Sequence, residues 1–347
     1  MVFIGCLSVI GVPGNALILV VFNLKHKPSV HRTIILTLAT YDFLLCGITL
    51  PFEIYDMKNQ FTFHSVWVCK IFRTINYFFA FNSGYTLVLM TIDRFRRVCK
   101  PMKIQMTISV GRICIFVIFV ASAIVTAPNL FIRGIHVIQI NANLSGYDCT
   151  ISDKYINSNV PAIYHGIVLI LCMLGIIIVI FLYVWIGHAI LVHLRYQKNF
   201  KIDRRTSDHS ASFVTSTSFT DITDTSTTNI TKDRETTPPK RNYRKRSIGN
   251  ERKEKIDASS FKITKIAITI SLFYIVSYIP TLVESILEGI YGEVVMSKYL
   301  SIPFMYLIQK AFAINHVVNP IIYGFIDTKF RNDCKVIFFQ CFKKCKY

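Results

Sequence analysis

Residues 166–187 read GIVLILCMLGIIIVIFLYVWIG, a run without a single charge. A helix needs about 20 predominantly apolar residues to cross the hydrocarbon core of a bilayer, so this run points to a membrane span. Working outward, similar runs occupy roughly 2–22, 33–57, 71–92, 113–132, 264–283 and 300–326, which brings the count to seven. Backbone polar groups in lipid must be satisfied within their own segment, so each run is expected to be helical. A β-barrel would show alternating segments of about 10 residues, whereas these runs are continuous. The expected fold class is an all-α membrane protein, a seven-transmembrane helix bundle spanning residues 1–347. Met1 leads directly into the first run with no charged n-region and no small-residue cleavage site, so no signal peptide is expected.

The composition agrees once the charge is placed. Of the 347 residues 52% are hydrophobic and 17% charged, with 39 Lys+Arg against 20 Asp+Glu, a formal charge of +19. A disordered basic tail would not be half apolar, and a nucleic-acid binder would scatter its basic residues among polar ones. Here 32 of the 39 basic residues fall in segments 23–32, 94–112, 195–265 and 327–347. The other seven are Lys58, Lys70, Arg73, Arg133, Lys154, Lys298 and Lys310. The positive-inside rule then puts the N-terminus outside and the C-terminus in the cytoplasm, as an odd number of spans requires. The cytoplasmic segments together with Asp93 at their edge carry net +20, the outer segments and helix ends balance, and Asp42 lies between them. The basic excess is an orientation signal, and no nucleic-acid partner is expected.

Segment 197–258 is the one long polar stretch. Between Thr206 and Thr237 more than half of the positions are Ser or Thr, and Pro238-Pro239 and a basic run from Lys240 to Arg246 follow. With so few apolar residues it cannot bury a core, and it reads as a disordered loop. Its use is either that of a solvated linker or of a phosphorylation platform beside an anionic membrane surface. After Tyr323, residues 327–342 space Phe330, Ile337, Phe338 and Phe342 among Lys329, Arg331 and Lys335, the pattern of a short amphipathic helix in the membrane interface. Cys341 and Cys345 beside Lys343, Lys344 and Lys346 suit S-palmitoylation, with free cytosolic thiols as the plainer alternative. Asn143-Leu144-Ser145 is a glycosylation sequon in an outward loop, whereas Asn229-Ile230-Thr231 falls on the cytosolic side.

Three constellations go further. Asp93-Arg94-Phe95 closes the third span, where a charge pair at the membrane edge is costly unless it acts or snorkels. Asn319-Pro320-Ile321-Ile322-Tyr323 ends the seventh span; its proline frees a backbone carbonyl, for which Asn319 is a candidate partner. Asp42 stands in mid-membrane on the second span, and an intramembrane carboxylate needs a partner. Together these make the chain resemble the rhodopsin-like (class A) G-protein-coupled receptors, over about residues 5–342 without the 197–258 loop.

The resemblance implies roles. Arg94 would be held by Asp93 at rest and meet a heterotrimeric G protein when active, with Tyr323, Tyr183, Tyr278 and Pro280 as switch positions. Arrestin and a receptor kinase would follow as partners, with membrane lipid around the bundle, at the plasma membrane. Asp42, Ser83, Asn315 and Asn319, with Asn15 on the first span, match the family's sodium site, although His316 stands where a small residue is usual; no other cofactor is implied. Of ten cysteines only Cys69 and Cys149 fall in outward segments, and Cys69 precedes Arg94 by the family's spacing, so a disulfide is implied. Several positions depart from the pattern. Tyr278 replaces the sixth span's Trp just before Pro280, Phe119 the fourth span's Trp, and Gly175 the fifth span's Pro. Ser260 stands where an acid would pair with Arg94, so raised basal activity is expected. Asn15 lies close to the start of the chain, where the family has an extracellular tail before it, which raises the expectation of an incomplete N-terminus.

For the ligand, helical spacing puts Asn76, Tyr77 and Ala80 on the third span's inward face. Tyr278, Thr281, Leu282 and Ser285 face them from the sixth span, and Tyr306, Gln309 and Ala313 from the seventh. Asn76 in place of an Asp argues against amines, and Ala313 in place of a Lys argues against retinal. A rim with Glu53, Asp56, Asp148, Asp153, Glu284, Glu288 and Glu293, and with Arg73 deeper, suits a peptide with basic side chains. The chain looks most like the neuropeptide-type branch; a small polar or lipid ligand is the alternative. An intramembrane enzyme would need paired carboxylates or a nucleophile and base within the spans, and only Asp42 is there. A transporter would show inverted repeats, and none is found.

Overall fold

The computed structural model describes residues 1–141, 144–216, 261–283, 286–287 and 310–344. In chain order its elements are α1 (Val2–Lys25), α2 (Val30–Leu44), a π turn (Leu45–Thr49), α3 (Leu50–Lys58), α4 (Val66–Cys99), α5 (Ile108–Thr126) and the single turn α6 (Asn129–Ile132). Then come the hairpin β1 (Arg133–Asn141) and β2 (Leu144–Ile151), and helices α7 (Val160–Ser216), α8 (Phe261–Val283), α9 (Phe312–Ile326) and α10 (Thr328–Lys344). Helix α7 therefore runs past position 197 to Ser216, while 217–260 lie outside the described residues.

Five helical stretches among the described residues are long and apolar enough to cross a membrane: Val2–Lys25, Val30–Lys58, Ile108–Ile132, Val160–His193 and Phe261–Val283. Helix α4 is also long, at 34 residues, but carries Lys70, Arg73, Asn76, Asn82 and Asp93; α9 is apolar but has 15 residues. Only 11% of the α5 window is buried, against 56% of Val30–Lys58, so α5 lies at the edge and α2–α3 near the centre. Exposed Ile113, Phe116, Val117 and Ile124 on α5, with Ile170, Ile177, Phe181 and Val184 on α7, form apolar surface that only a lipid solvent tolerates. Helix α4 packs against α2, α5 and α7, and α1 against α2 and α9.

Proline sets the local geometry twice. Pro51 has no N–H to give to the carbonyl of Cys46 in the π turn, where the wider hydrogen bond of that turn would fall. Ser8 Oγ from α1 donates to that carbonyl instead, at 2.7 Å. Pro320 likewise frees the carbonyl of His316 on α9. Asn15 Nδ2 donates to it at 2.8 Å. The sequence had suggested Asn319 for that task; Asn319 is drawn away because its amide donates to Asp42 instead. Gly11 and Gly14 make the approach of α1 close enough. A Cβ on Gly11 would collide with Cys46 Sγ, and one on Gly14 would lie 2.8 Å from Pro320 Cγ.

Candidate functional site

The polar residues of the bundle gather at three levels. In mid-bundle, Asp42, Ser83, Asn315, His316 and Asn319 are all buried. Ser83 Oγ donates to Asp42 Oδ1 at 3.1 Å and Asn319 Nδ2 to Oδ2 at 2.6 Å. His316 Nδ1 lies 2.7 Å from Oδ1, and because a carboxylate only accepts, its N–H is on Nδ1. Asn315 has both amide atoms buried without a hydrogen-bond partner, as is Asn319 Oδ1. Of the implied sodium set, the structure brings Asp42, Ser83 and Asn319 into contact. A hard cation needs oxygen lone pairs, but Asp42 Oδ1 already accepts from both Ser83 and His316, and the imidazole lies against it at 2.7 Å. The residues as they stand do not fit a sodium ion.

At the Arg94 end of α4, Asp93 accepts from Arg94 and, at 3.0 Å, from Arg97 Nε. Arg94 is 2% exposed, and its Nε has no hydrogen-bond partner. Tyr183 on α7 and Ser271 on α8 share a hydrogen bond of 3.0 Å between hydroxyls. The buried Tyr323 hydroxyl is unpartnered, while its ring packs against Phe22 and Phe330. Phe95 packs edge-on to Trp185. Lys262 at the start of α8 reaches Asp327 Oδ1 at 3.0 Å and Thr328 Oγ1 at 2.8 Å, between α9 and α10. Ser260 lies outside the described residues.

At the opposite end, the Cys69–Cys149 disulfide ties β2 to the start of α4, with Cα atoms 5.6 Å apart. The hairpin also pairs with the α3–α4 connection, where Phe63 N donates to the Tyr147 carbonyl at 3.0 Å. Burial raises the Asp148 carboxyl of β2 above its ordinary range. Beneath the hairpin, Glu53 is 1% exposed and accepts from Arg73 Nη1 at 3.0 Å, Asn76 Nδ2 at 3.0 Å and Lys310 Nζ at 2.7 Å. Arg73 Nη2 also donates to Asp56 at 2.5 Å. Glu53, expected at the rim as an acid for a ligand, is thus consumed by internal cations. Buried charges that close to one another are held only when paired.

Arg133 differs. It donates from Nη2 to the Tyr77 hydroxyl at 3.1 Å and lies 3.4 Å from His165 Nε2, with its Nε buried and unpartnered. No carboxylate pairs with it among the described residues. Sequence reasoning counted Arg133 only as an outer charge; its place at the end of an apolar run was the available signal. Ala80, Tyr278, Thr281 and Leu282 are half-buried, and Tyr278 lies beside Tyr274 and Phe312. Ser285, Glu288, Tyr306, Gln309, Asn143 and Cys345 lie outside the described residues, as does the side chain of Cys341.

The family model of the seven-transmembrane receptors of the rhodopsin family matches residues 14–323. The chain is 23% identical to a cholecystokinin receptor of Xenopus laevis, over 96% of this chain and 75% of that receptor. It is 30% identical to a C3a anaphylatoxin chemotactic receptor of Oncorhynchus mykiss and 32% identical to a C5a anaphylatoxin chemotactic receptor 1 of Danio rerio. Those two matches span just over a third of each chain. Members of this family are receptors rather than enzymes, and with the apolar helices the match makes this a multi-pass protein of the plasma membrane. The chain belongs to the rhodopsin family of seven-transmembrane receptors.

Proposed function

We propose that the chain is a cell-surface receptor for a peptide and passes agonist binding to heterotrimeric G proteins by rearranging its helices. In this reading α4 is the third span, α9 is the inner part of the seventh, and α10 is an amphipathic eighth helix. The N-terminus is outside and the C-terminus inside. Peptide ligands are favoured because the relatives are named for cholecystokinin and for the C3a and C5a anaphylatoxins.

The observation that carries the reading is the pairing of two ends on one helix: α4 bears the disulfide-anchored hairpin at Cys69 and the buried Arg94 at its other end. A bound ligand that biases the packing around α4 acts on both ends at once, and that differential is all a receptor needs to shift its equilibrium. Asp93, Arg94, Phe95, Tyr183, Tyr278, Pro280, Asn319, Pro320 and Tyr323 are the proposed switch. Arrestin, a receptor kinase, glycosylation at Asn143 and palmitoylation at Cys341 and Cys345 belong to the same reading.

The mouth favours an acidic group on the ligand. Glu53 and Asp56 are neutralised by Arg73 and Lys310, whereas the partners of Arg133 among the described residues, Tyr77 and His165, are neutral. A guanidinium flanked in that way takes a carboxylate or sulfate in bidentate geometry. A peptide library screened by calcium and cAMP readouts tests this. Active peptides should carry an acidic residue or a free C-terminal carboxylate, and Arg133→Gln should cut their potency about tenfold or more. Potency unchanged by Arg133→Gln would remove the acidic-ligand reading.

A further inference from the structure

Within the bundle, the residue that faces the Asp42 carboxylate from α9 is an imidazole. We infer that His316 permanently occupies the place of the sodium ion expected beside Asp42, so that this receptor's resting state is insensitive to sodium.

Three observations lead there. First, three side chains already hold the carboxylate: Ser83 and His316 both donate to Oδ1, and Asn319 donates to Oδ2. Second, the oxygens a sodium ion would need are present but idle, because Asn315 Oδ1 and Asn319 Oδ1 are buried without hydrogen-bond partners. The group that meets Asp42 Oδ1 from α9 is the imidazole, at 2.7 Å. Third, His316 is held in place from behind. Its backbone carbonyl, freed by Pro320, accepts Asn15 Nδ2 at 2.8 Å and faces Cys46 Sγ at 3.8 Å. One residue thus ties α1, the α2 π turn and α9 together.

A diffusible cation stabilises the state it binds only in proportion to its concentration over its dissociation constant. A tethered donor is present at every concentration. The inference therefore concerns what sets the resting state, and it holds whatever the agonist is.

The test is thermal unfolding of the full-length receptor in detergent or nanodiscs, in sodium chloride against N-methyl-D-glucamine chloride at equal ionic strength. Wild type should unfold at the same temperature in both salts. His316→Ser removes the imidazole from beside Asp42 Oδ1 and frees a lone pair there, with the Asn315 and Asn319 amide oxygens still unpartnered, so this variant should gain a sodium-dependent rise of about 2–4 °C. Adding Asp42→Asn to it should abolish the rise. A sodium-dependent shift in wild type that Asp42→Asn removes would overturn the inference, and so would a folded His316→Ser receptor indifferent to sodium. If His316→Ser does not fold, wild type and Asp42→Asn decide the matter alone: no shift in either supports the inference, and a shift lost with Asp42 overturns it.

Discussion

Lys310 Nζ lies 2.7 Å from Glu53 Oε2 across 257 positions of sequence, and the two join the start of α9 to α3. Arg73 and Asn76 on α4 complete the shell around the same carboxylate. Removing one member of such a set leaves a buried charge without its compensation, which costs about 3–5 kcal/mol. Glu53→Gln and Lys310→Met should each lower the unfolding temperature of the purified receptor. The double variant should lose clearly less than the sum of the singles, because the two side chains share one interaction. Strict additivity in that cycle would show that the pair is not coupled.

Gly11 should tolerate no side chain. A Cβ there would meet Cys46 Sγ and lie 3.1 Å from Val317 Cγ2. Gly11→Ala should destabilise by about 1–3 kcal/mol through overpacking, and Cys46→Ala in the same chain should restore part of the loss. Surface expression and unfolding temperature of the two variants check this; equal losses with and without Cys46→Ala would count against the contact.

The Lys262–Asp327 pair links the start of α8 to the turn between α9 and α10. It holds α8 to a neighbour without using Arg94, whose hydrogen bonds go to Asp93. Opening α8 must break the pair, so Lys262→Ala should raise basal nucleotide exchange. The Lys262 side chain is 35% exposed, which limits the effect to about two- to fivefold, the range of an exposed ion pair. Unchanged basal exchange would mean the pair imposes no restraint.

His26, between α1 and α2, stacks on Phe22 with ring centroids 4.3 Å apart and lies 3.5 Å from Asp333 on α10. Burial, followed by the charge of Lys329, lowers its pKa below the ordinary 6.5. A histidine with a lowered folded pKa takes up protons more readily when its surroundings open. The stability it contributes is therefore full above pH 6.5 and falls as pH drops through that value toward the folded pKa. Protection of the 26–33 and 328–337 amides, corrected for the intrinsic exchange rate at each pH, should fall between about pH 7 and pH 5, and His26→Phe should flatten the dependence.

Much of the site was legible because membrane helices restrict what a polar residue can do. Asp42 had to find partners inside the bundle; of those the resemblance implies, Ser83 and Asn319 touch it, Asn315 makes no hydrogen bond to it, and His316 joins them. Cys69 and Cys149 followed from the motif and from side of membrane. What spacing could not give was competition between neighbours. Asn319 was eligible both for the carbonyl freed by Pro320 and for Asp42, and only the close approach of Asn15 across Gly11 and Gly14 decides between them. Glu53 read as a rim acid because its fate depends on Lys310, which no local pattern connects to it. The β-hairpin lies within an outward connection, 133–160, with no strand signal of its own strong enough to stand out, and a disulfide and one bridge to Thr62 hold it in place.

In the proposed receptor, α4 carries a ligand-facing end and a G-protein-facing end, joined through a packed bundle. The most direct test is guanine-nucleotide exchange on heterotrimeric G proteins in membranes, stimulated by a peptide agonist from the library screen, with peptide binding measured in parallel for wild type, Arg94→Ala and Arg133→Gln. Arg94→Ala should keep peptide binding while stimulated exchange falls at least about tenfold, and Arg133→Gln should weaken binding itself. Stimulated exchange that survives Arg94→Ala at the wild-type rate would contradict this arrangement.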